Sequence, residues 1–209
     1  LPLKEFEILW EKNHCLGGNM ELYEAIMKRR SHRLYKPEMP PREVLEKVIN
    51  AAMWAPSGTN AQPWEITVLA GRFRDEFIER AAHCISHMIP ILKAAQVPEK
   101  GQEMVIKFFK DLGGAPVVIV VTLDKPENPH MMESTIQSGA ALMQNLLLAA
   151  HAEGLGTCWM TGPAFVAKEL LDYLGKPDKH FLAMTPIGYS AKEPPVPPRK
   201  NREVRWLGF

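Results

Sequence analysis

Apolar residues along this chain switch between helical and strand periods, and prolines mark most of the switches. Leu22, Ala25 and Ile26 stand at helical spacing within residues 21–30, with acidic side chains early and basic ones late, as a helix dipole favours. Pro37, Pro40 and Pro41 break the chain, and Val44, Leu45, Val48, Ile49 and Ala52 then predict a helix over residues 42–54. Pro56-Ser57-Gly58 stops it, and residues 64–69 alternate as a strand. Residues 73–92 and 99–112 read as helices joined near Pro98. Residues 117–122 are a continuous β-branched run, the pattern of a central strand covered on both faces.

Residues 134–153 form a long, mostly apolar pattern with few charges, which predicts a helix buried nearly all round, in a core or against another subunit. A short strand is expected near Thr157-Cys158-Trp159, a helix over residues 166–174 and a strand over residues 181–187. The tail Pro194-Pro195-Val196-Pro197-Pro198 is extended, and Val204-Arg205-Trp206 predicts a final edge strand. With no internal repeat and no dividing linker, the fold class is α+β: a central mixed sheet flanked by helices, one domain over residues 20–209.

Residues 1–19 stand apart from that pattern. Met20 opens the first clean helix, and Leu16-Gly17-Gly18-Asn19 precede it. Gly-Gly can be encoded by a purine-rich ribosome-binding tract, so residues 1–19 are expected to be an N-terminal extension, translated upstream sequence or an expression remnant. A genuine arm with a short Phe6-Ile8-Leu9-Trp10 helix is the other reading.

The chain has 209 residues, 46% hydrophobic and 23% charged, which suits one sizeable globular core. Its 25 basic and 24 acidic residues balance to +1, without the basic excess of a nucleic-acid binder. No apolar run reaches the roughly 20 residues of a membrane span, and Glu5, Glu7 and Glu11 interrupt any signal-like stretch. Cys15, Cys84 and Cys158 are odd in number and far apart, so no disulfide framework is expected and the cytoplasm is the default compartment.

Two polar segments point to chemistry. Arg29-Arg30-Ser31-His32-Arg33 packs three guanidinium groups and a hydroxyl into the end of a helix, and a guanidinium fork matches two phosphate oxygens at once. About 25 residues on, Ala55-Pro56-Ser57-Gly58-Thr59-Asn60-Ala61-Gln62-Pro63-Trp64 is polar and tightly turned between a helix and a strand. Alone, the arginines read as a solvated face. Together, the segments suggest a bound phosphorylated cofactor.

Other candidates are weaker. His83 and His87 have a spacing that can ligate zinc, but no third ligand is evident. Gly154-Leu155-Gly156 follows a helix and lacks a third glycine, so a helix cap is expected rather than a dinucleotide site. Cys158 lacks a visible histidine partner and reads as a small core residue. With no Walker loop, GxSxG or HExxH, any enzymatic chemistry would be carried by a cofactor.

Residues 21–33 followed by 55–64 resemble the opening of the nitroreductase-like, FMN-dependent oxidoreductases. The resemblance continues through Gly139-Ala140-Ala141-Leu142-Met143-Gln144-Asn145-Leu146, Gly154-Leu155-Gly156-Thr157, Pro186-Ile187-Gly188-Tyr189 and Pro197-Pro198-Arg199-Lys200. It is weakest over residues 73–112, which in that family shape the substrate pocket. It implies an intertwined homodimer with FMN at the subunit interface. Arg29, Ser31 and Arg199 would hold the phosphate with Arg30 beside them, and Arg33 would reach the ribityl chain and the pyrimidine edge. Pro56, Ser57, Gly58 and Asn60 would come from the other subunit. Gly156, Thr157 and Trp159 would lie on the segment passing the reactive flavin nitrogen, with Thr157 a candidate hydrogen-bond donor there.

The implied activity is ping-pong reduction of nitroaromatic, quinone or related small-molecule acceptors by NADH or NADPH, without metal. The spacing of Thr157 to Gly162-Pro163, with Gly188-Tyr189 and Lys192-Glu193, looks nearer the iodotyrosine-dehalogenase-like branch. That branch's substrate-gripping lid is not evident in residues 73–112, and a purely structural Thr157 is the alternative. Competing readings are a reductive dehalogenase or flavin-fragmenting relative, and a flavin-binding carrier or sensor without turnover.

Overall fold

The computed structural model describes residues 20–200 and 203–208, so the expectations for residues 1–19 lie outside the described residues. Helices α1 (Leu22–Lys28) and α2 (Arg42–Ala52) precede a 3₁₀ turn at Gly58–Asn60 and strand β1 (Trp64–Ala70). Helices α3 (Gly71–Ala81), α4 (Ile85–Ala94) and α5 (Glu99–Asp111) follow, then the turn Leu112–Gly114 and β2 (Val117–Leu123). The remainder is α6 (Met132–Ala152), β3 (Gly156–Thr157), a turn at Gly162–Val166, α7 (Ala167–Tyr173) and β4 (His180–Gly188). Residues 73–92, expected as one helix, are broken at the 3₁₀ turn Ala82–Cys84.

The sheet runs β1-β2-β4-β3 with every ladder antiparallel. This corrects the expected mixed sheet, and the connections give the reason. Ala70 at the end of β1 pairs with Val117 at the start of β2, so the α3–α5 excursion leaves and returns at one end of the sheet. Leu123 and His180 repeat the arrangement for the α6–α7 excursion. A single parallel bridge joins Ser31, which lies outside the strands, to Thr157 of β3. The expected strand at Val204-Arg205-Trp206 is also corrected: residues 203–206 are exposed and join no ladder.

Strand β2 is buried along its whole length because its alternate side chains enter two cores. Val117, Ile119, Val121 and Leu123 meet Leu45, Val48 and Ala52 of α2 and Leu142, Leu146 and Ala150 of α6. Val118 and Val120 meet Phe77 and Ile78 of α3, Phe108 and Phe109 of α5 and Leu170 of α7. Each fully buried side chain of this size contributes about 1.5–3 kcal/mol, so the β-branched run anchors both layers.

Helix α6 buries Leu142, Met143, Leu146, Leu147 and Ala150, but Ile136, Gln137 and Gln144 are exposed. Within one chain it is therefore covered on one side rather than all round. No helix among the described residues is long and apolar enough to cross a membrane.

Candidate cofactor site

Arg29 turns to extended backbone (φ −53°, ψ 134°) and ends α1. From there the chain runs beside β3: Ser31 bridges Thr157, and the His32 N–H donates to the Thr157 carbonyl at 2.8 Å. The arginine segment thus lies along the open edge of the sheet, and its side chains sort by environment.

Arg29 is half-buried, and burial followed by the nearby Arg199 and Arg30 lowers its pKa. Among the described residues, Arg29, Arg30, Arg33 and Arg199 form no ion pair with a carboxylate. Burying like charges together without a counterion is unfavourable, and an anion reverses the sign. Arg30 is arranged differently. Its Nη1 donates to the Met27 carbonyl at 2.6 Å and the Arg29 carbonyl at 2.8 Å, completing the orphan carbonyls at the end of α1. Its guanidinium braces the loop that presents Arg29.

The neighbouring titratable groups share this positive field. His32 and His151 are both held below the usual histidine range, by burial first; Arg29 acts in the same direction and Glu193 against it. The ring of His32 is fixed by a 2.7 Å hydrogen bond between Nδ1 and the Ser190 hydroxyl. Burial pushes the Cys158 thiol up despite the opposing pull of Arg33, the neighbouring Ser31 side chain and Arg29. A protonated, buried thiol is a poor nucleophile, in keeping with a core role. The Thr157 hydroxyl oxygen is buried with no hydrogen-bond partner, an orphan that a ligand could complete. Gly156 packs directly on the His32 ring, and Trp159 is half-buried against the α6 core.

The second polar segment forms a constrained turn. Thr59, Asn60 and Gln62 all take positive φ (53°, 57° and 46°), conformations that cost on the order of 1 kcal/mol or more each and cluster at ligand clamps. The Ser57 hydroxyl accepts from the Gln62 N–H at 3.0 Å, and the Gly58 N–H donates to the Ser138 hydroxyl at 3.2 Å. Pro56, Gly58 and Asn60 stay exposed. This turn sits at Ser138 near the start of α6, whereas Arg29 lies near His151 at its end. At about 1.5 Å per residue, the two halves are separated by roughly 20 Å along α6 within one chain. One chain does not bring them together.

The remaining candidates resolve as packing. His83 pairs with Glu169 at 3.0 Å, His87 stacks on Phe165 at 5.5 Å, and no metal-ligating cluster occurs among the described residues. Gly154 has φ +75°, and the Leu155 N–H bonds the Ala150 carbonyl, closing α6 as a helix cap. A surface recess of about 550 Å³ lies between α3 and α7, lined by Arg80, Phe165 and Tyr173 among others, and includes none of the arginines above.

Sequence reasoning missed the groups that hold the loop from behind. Tyr35 donates from its hydroxyl to the His32 carbonyl at 2.8 Å, Ser190 pins His32, and the turn at Gly113 supports Arg33. No local pattern signals these long-range partners.

Known proteins resemble this chain over most of its length. An NADH dehydrogenase/NAD(P)H nitroreductase, provisionally so named, from Methanothermobacter thermautotrophicus is 30% identical over 200 residues, spanning 90% of this chain and 91% of the relative. An iodotyrosine deiodinase of Thermotoga neapolitana is 30% identical over 194 residues, spanning 90% and 98%. A crystal structure of oxidized iodotyrosine deiodinase bound to FMN and 3-iodo-L-tyrosine superposes with a TM-score of 0.71 at 26% identity, covering 90% of this chain and 100% of that one. The profile of the Nitroreductase family matches residues 26–189, from within α1 to just past β4, and this chain belongs to that family.

Proposed function

We propose that residues 20–209 act as one FMN-binding domain of a homodimeric oxidoreductase, which passes electrons from NADH or NADPH to nitroaromatic, quinone or related small acceptors by a ping-pong mechanism. Bound FMN supplies reversible hydride chemistry, so donor and acceptor can use one exposed face in turn. Arg29, Ser31 and Arg199 hold the phosphate, and Arg30 orders the backbone that presents them. Arg33 stands by the ribityl chain and pyrimidine edge, where its charge favours the anionic reduced state. Gly156, Thr157 and Trp159 form the wall beside the reactive ring, with the Thr157 hydroxyl available to it. Pro56, Ser57, Gly58 and Asn60 of a second copy complete the site.

The observation that carries this reading is the half-buried Arg29 beside Arg30 and Arg199, unpaired by any described carboxylate, on the edge where Ser31 meets Thr157. The roughly 20 Å between the two polar segments supports completion by a second copy. Anaerobic stopped-flow mixing with NADH and NADPH tests the activity. One of them is expected to bleach the bound flavin rapidly and an added quinone to restore it; flavin that neither reduces would instead indicate a carrier or sensor.

A second reading, reductive dehalogenation, is favoured by the 30% identity to an iodotyrosine deiodinase and by the unpartnered Thr157 hydroxyl. Halide release from a halophenol under reducing conditions, lost in Thr157→Ala, would select it. Absence of halide would leave the nitroreductase-type activity.

A further inference from the structure

The geometry points to Phe108, near the end of α5, as a positioning residue that holds the Arg33 guanidinium at the flavin edge; this rests on the reading of Arg33 given above. Arg33 is exposed, and its side chain makes few contacts. Its Nη1 reaches the Ser31 carbonyl at 3.4 Å, a long bond, and its Cζ stands 5.9 Å from the centre of the Phe108 ring. No described carboxylate pairs with it. A long, mobile side chain with so few partners is placed chiefly by the aromatic face beneath it.

Phe108 is itself fixed. It is buried and meets Phe109 edge-on, with centroids 6.1 Å apart at 81°. Phe109 in turn packs where a side chain on Gly162 would lie, 2.9 Å from its ring, so the end of α5 also abuts the segment after β3.

The main chain of Arg33 is docked on the same element. Gly113 has φ +64°, and a Cβ there would collide with the Arg33 carbonyl, coming within 2.7 Å of its carbon. The Tyr35 N–H donates to the Gly113 carbonyl at 2.9 Å, while the Asp111 carboxylate accepts from the Gly113 N–H at 2.8 Å. Backbone and guanidinium of Arg33 therefore both take their position from the last turn of α5 and the turn that follows. The consequence is functional: α5 belongs to the stretch that resembles the family least, so changes there are transmitted to the charge that tunes the flavin.

The test uses the FMN-loaded protein and measures the two-electron midpoint potential of the bound flavin with its dissociation constant. Phe108→Leu keeps an apolar core but removes the ring. It is expected to lower the preference for reduced flavin roughly threefold, about 15 mV for a two-electron couple. Phe108→Tyr retains the ring and is expected to keep the wild-type potential. In an Arg33→Gln background Phe108→Leu is expected to shift nothing further, because the group it positions is gone. Should Phe108→Leu fail to accumulate as folded protein, Phe108→Met carries the same comparison. An unchanged potential in the ring-deleted variant, or an equal shift with and without Arg33, overturns the role of Phe108 while leaving the FMN assignment standing. A wild-type protein that binds no FMN overturns both.

Discussion

Replacing Arg29 with alanine separates a cofactor ligand from a structural arginine, because the two roles move stability and binding in different directions. In the chain alone Arg29 is half-buried, and burial, Arg199 and Arg30 all oppose its charge. No described carboxylate offsets them. Removing the guanidinium therefore relieves desolvation and like-charge repulsion in the flavin-free protein and loses only the packing of its stem. The expected change in apo stability, from urea unfolding, lies within about 0.5 kcal/mol of wild type or above it. Binding moves the other way. Charge-assisted hydrogen bonds to a phosphate are worth about 1.5–3 kcal/mol, so the FMN dissociation constant, read from quenching of flavin fluorescence, is expected to rise roughly 10- to 150-fold. Because the lost interaction is ionic, wild-type affinity should fall with added salt more steeply than that of the variant. An apo protein destabilised by more than about 1 kcal/mol with unchanged FMN affinity would refute the reasoning and return Arg29 to a structural role.

Gly156→Ala would put a Cβ 2.8 Å from the pinned His32 ring; a loss of about 1–3 kcal/mol in urea unfolding, with weaker FMN binding, is expected, and full tolerance would show that β3 and the arginine loop are not tightly apposed. His32 is held below the usual histidine range by burial, so its contribution to stability is complete above the unfolded pKa of about 6.5 and is lost as pH falls through the folded value. The apo melting temperature should therefore drop on acidification and drop less in His32→Gln, with His151 and His180 supplying the remaining slope; an identical slope in the variant would contradict this. Burial pushes the Cys84 thiol up to about 11 and raises that of Cys158, so iodoacetamide at about pH 8 should label neither in native protein and both in urea, with rapid native labelling of Cys158 the opposing result.

Local pattern carried the sequence a long way where burial and period coincide. The β-branched run from Val117 reads as a doubly covered strand because each of its faces has a core, and residues 134–153 read as a helix because their apolar residues follow its turns. Arg29 and Ser31 suggest an anion site only when the arginine cluster is read together with the polar turn at residues 55–64. Legibility ended where position depends on partners distant in the chain. That Arg30 caps α1 follows from carbonyls freed only once the helix ends at Lys28. The antiparallel sense of the sheet depends on where long excursions return, which periodicity does not record. The supports from Ser190 and Gly113 lie many residues from the loop they hold and share no motif with it.

The most direct test of the central claim, a flavin site shared between two copies, is subunit complementation. An Arg29→Ala chain and an Asn60→Asp chain, each weak in FMN binding alone, are unfolded, mixed in equal amounts and refolded together, and high-affinity FMN sites are then counted. If Arg29 and Asn60 serve the same site from different subunits, each hybrid dimer contains one intact site, and about a quarter of all sites should recover wild-type affinity. No recovery in a mixture that does form hybrid dimers would place both residues in one chain's site and contradict the shared interface.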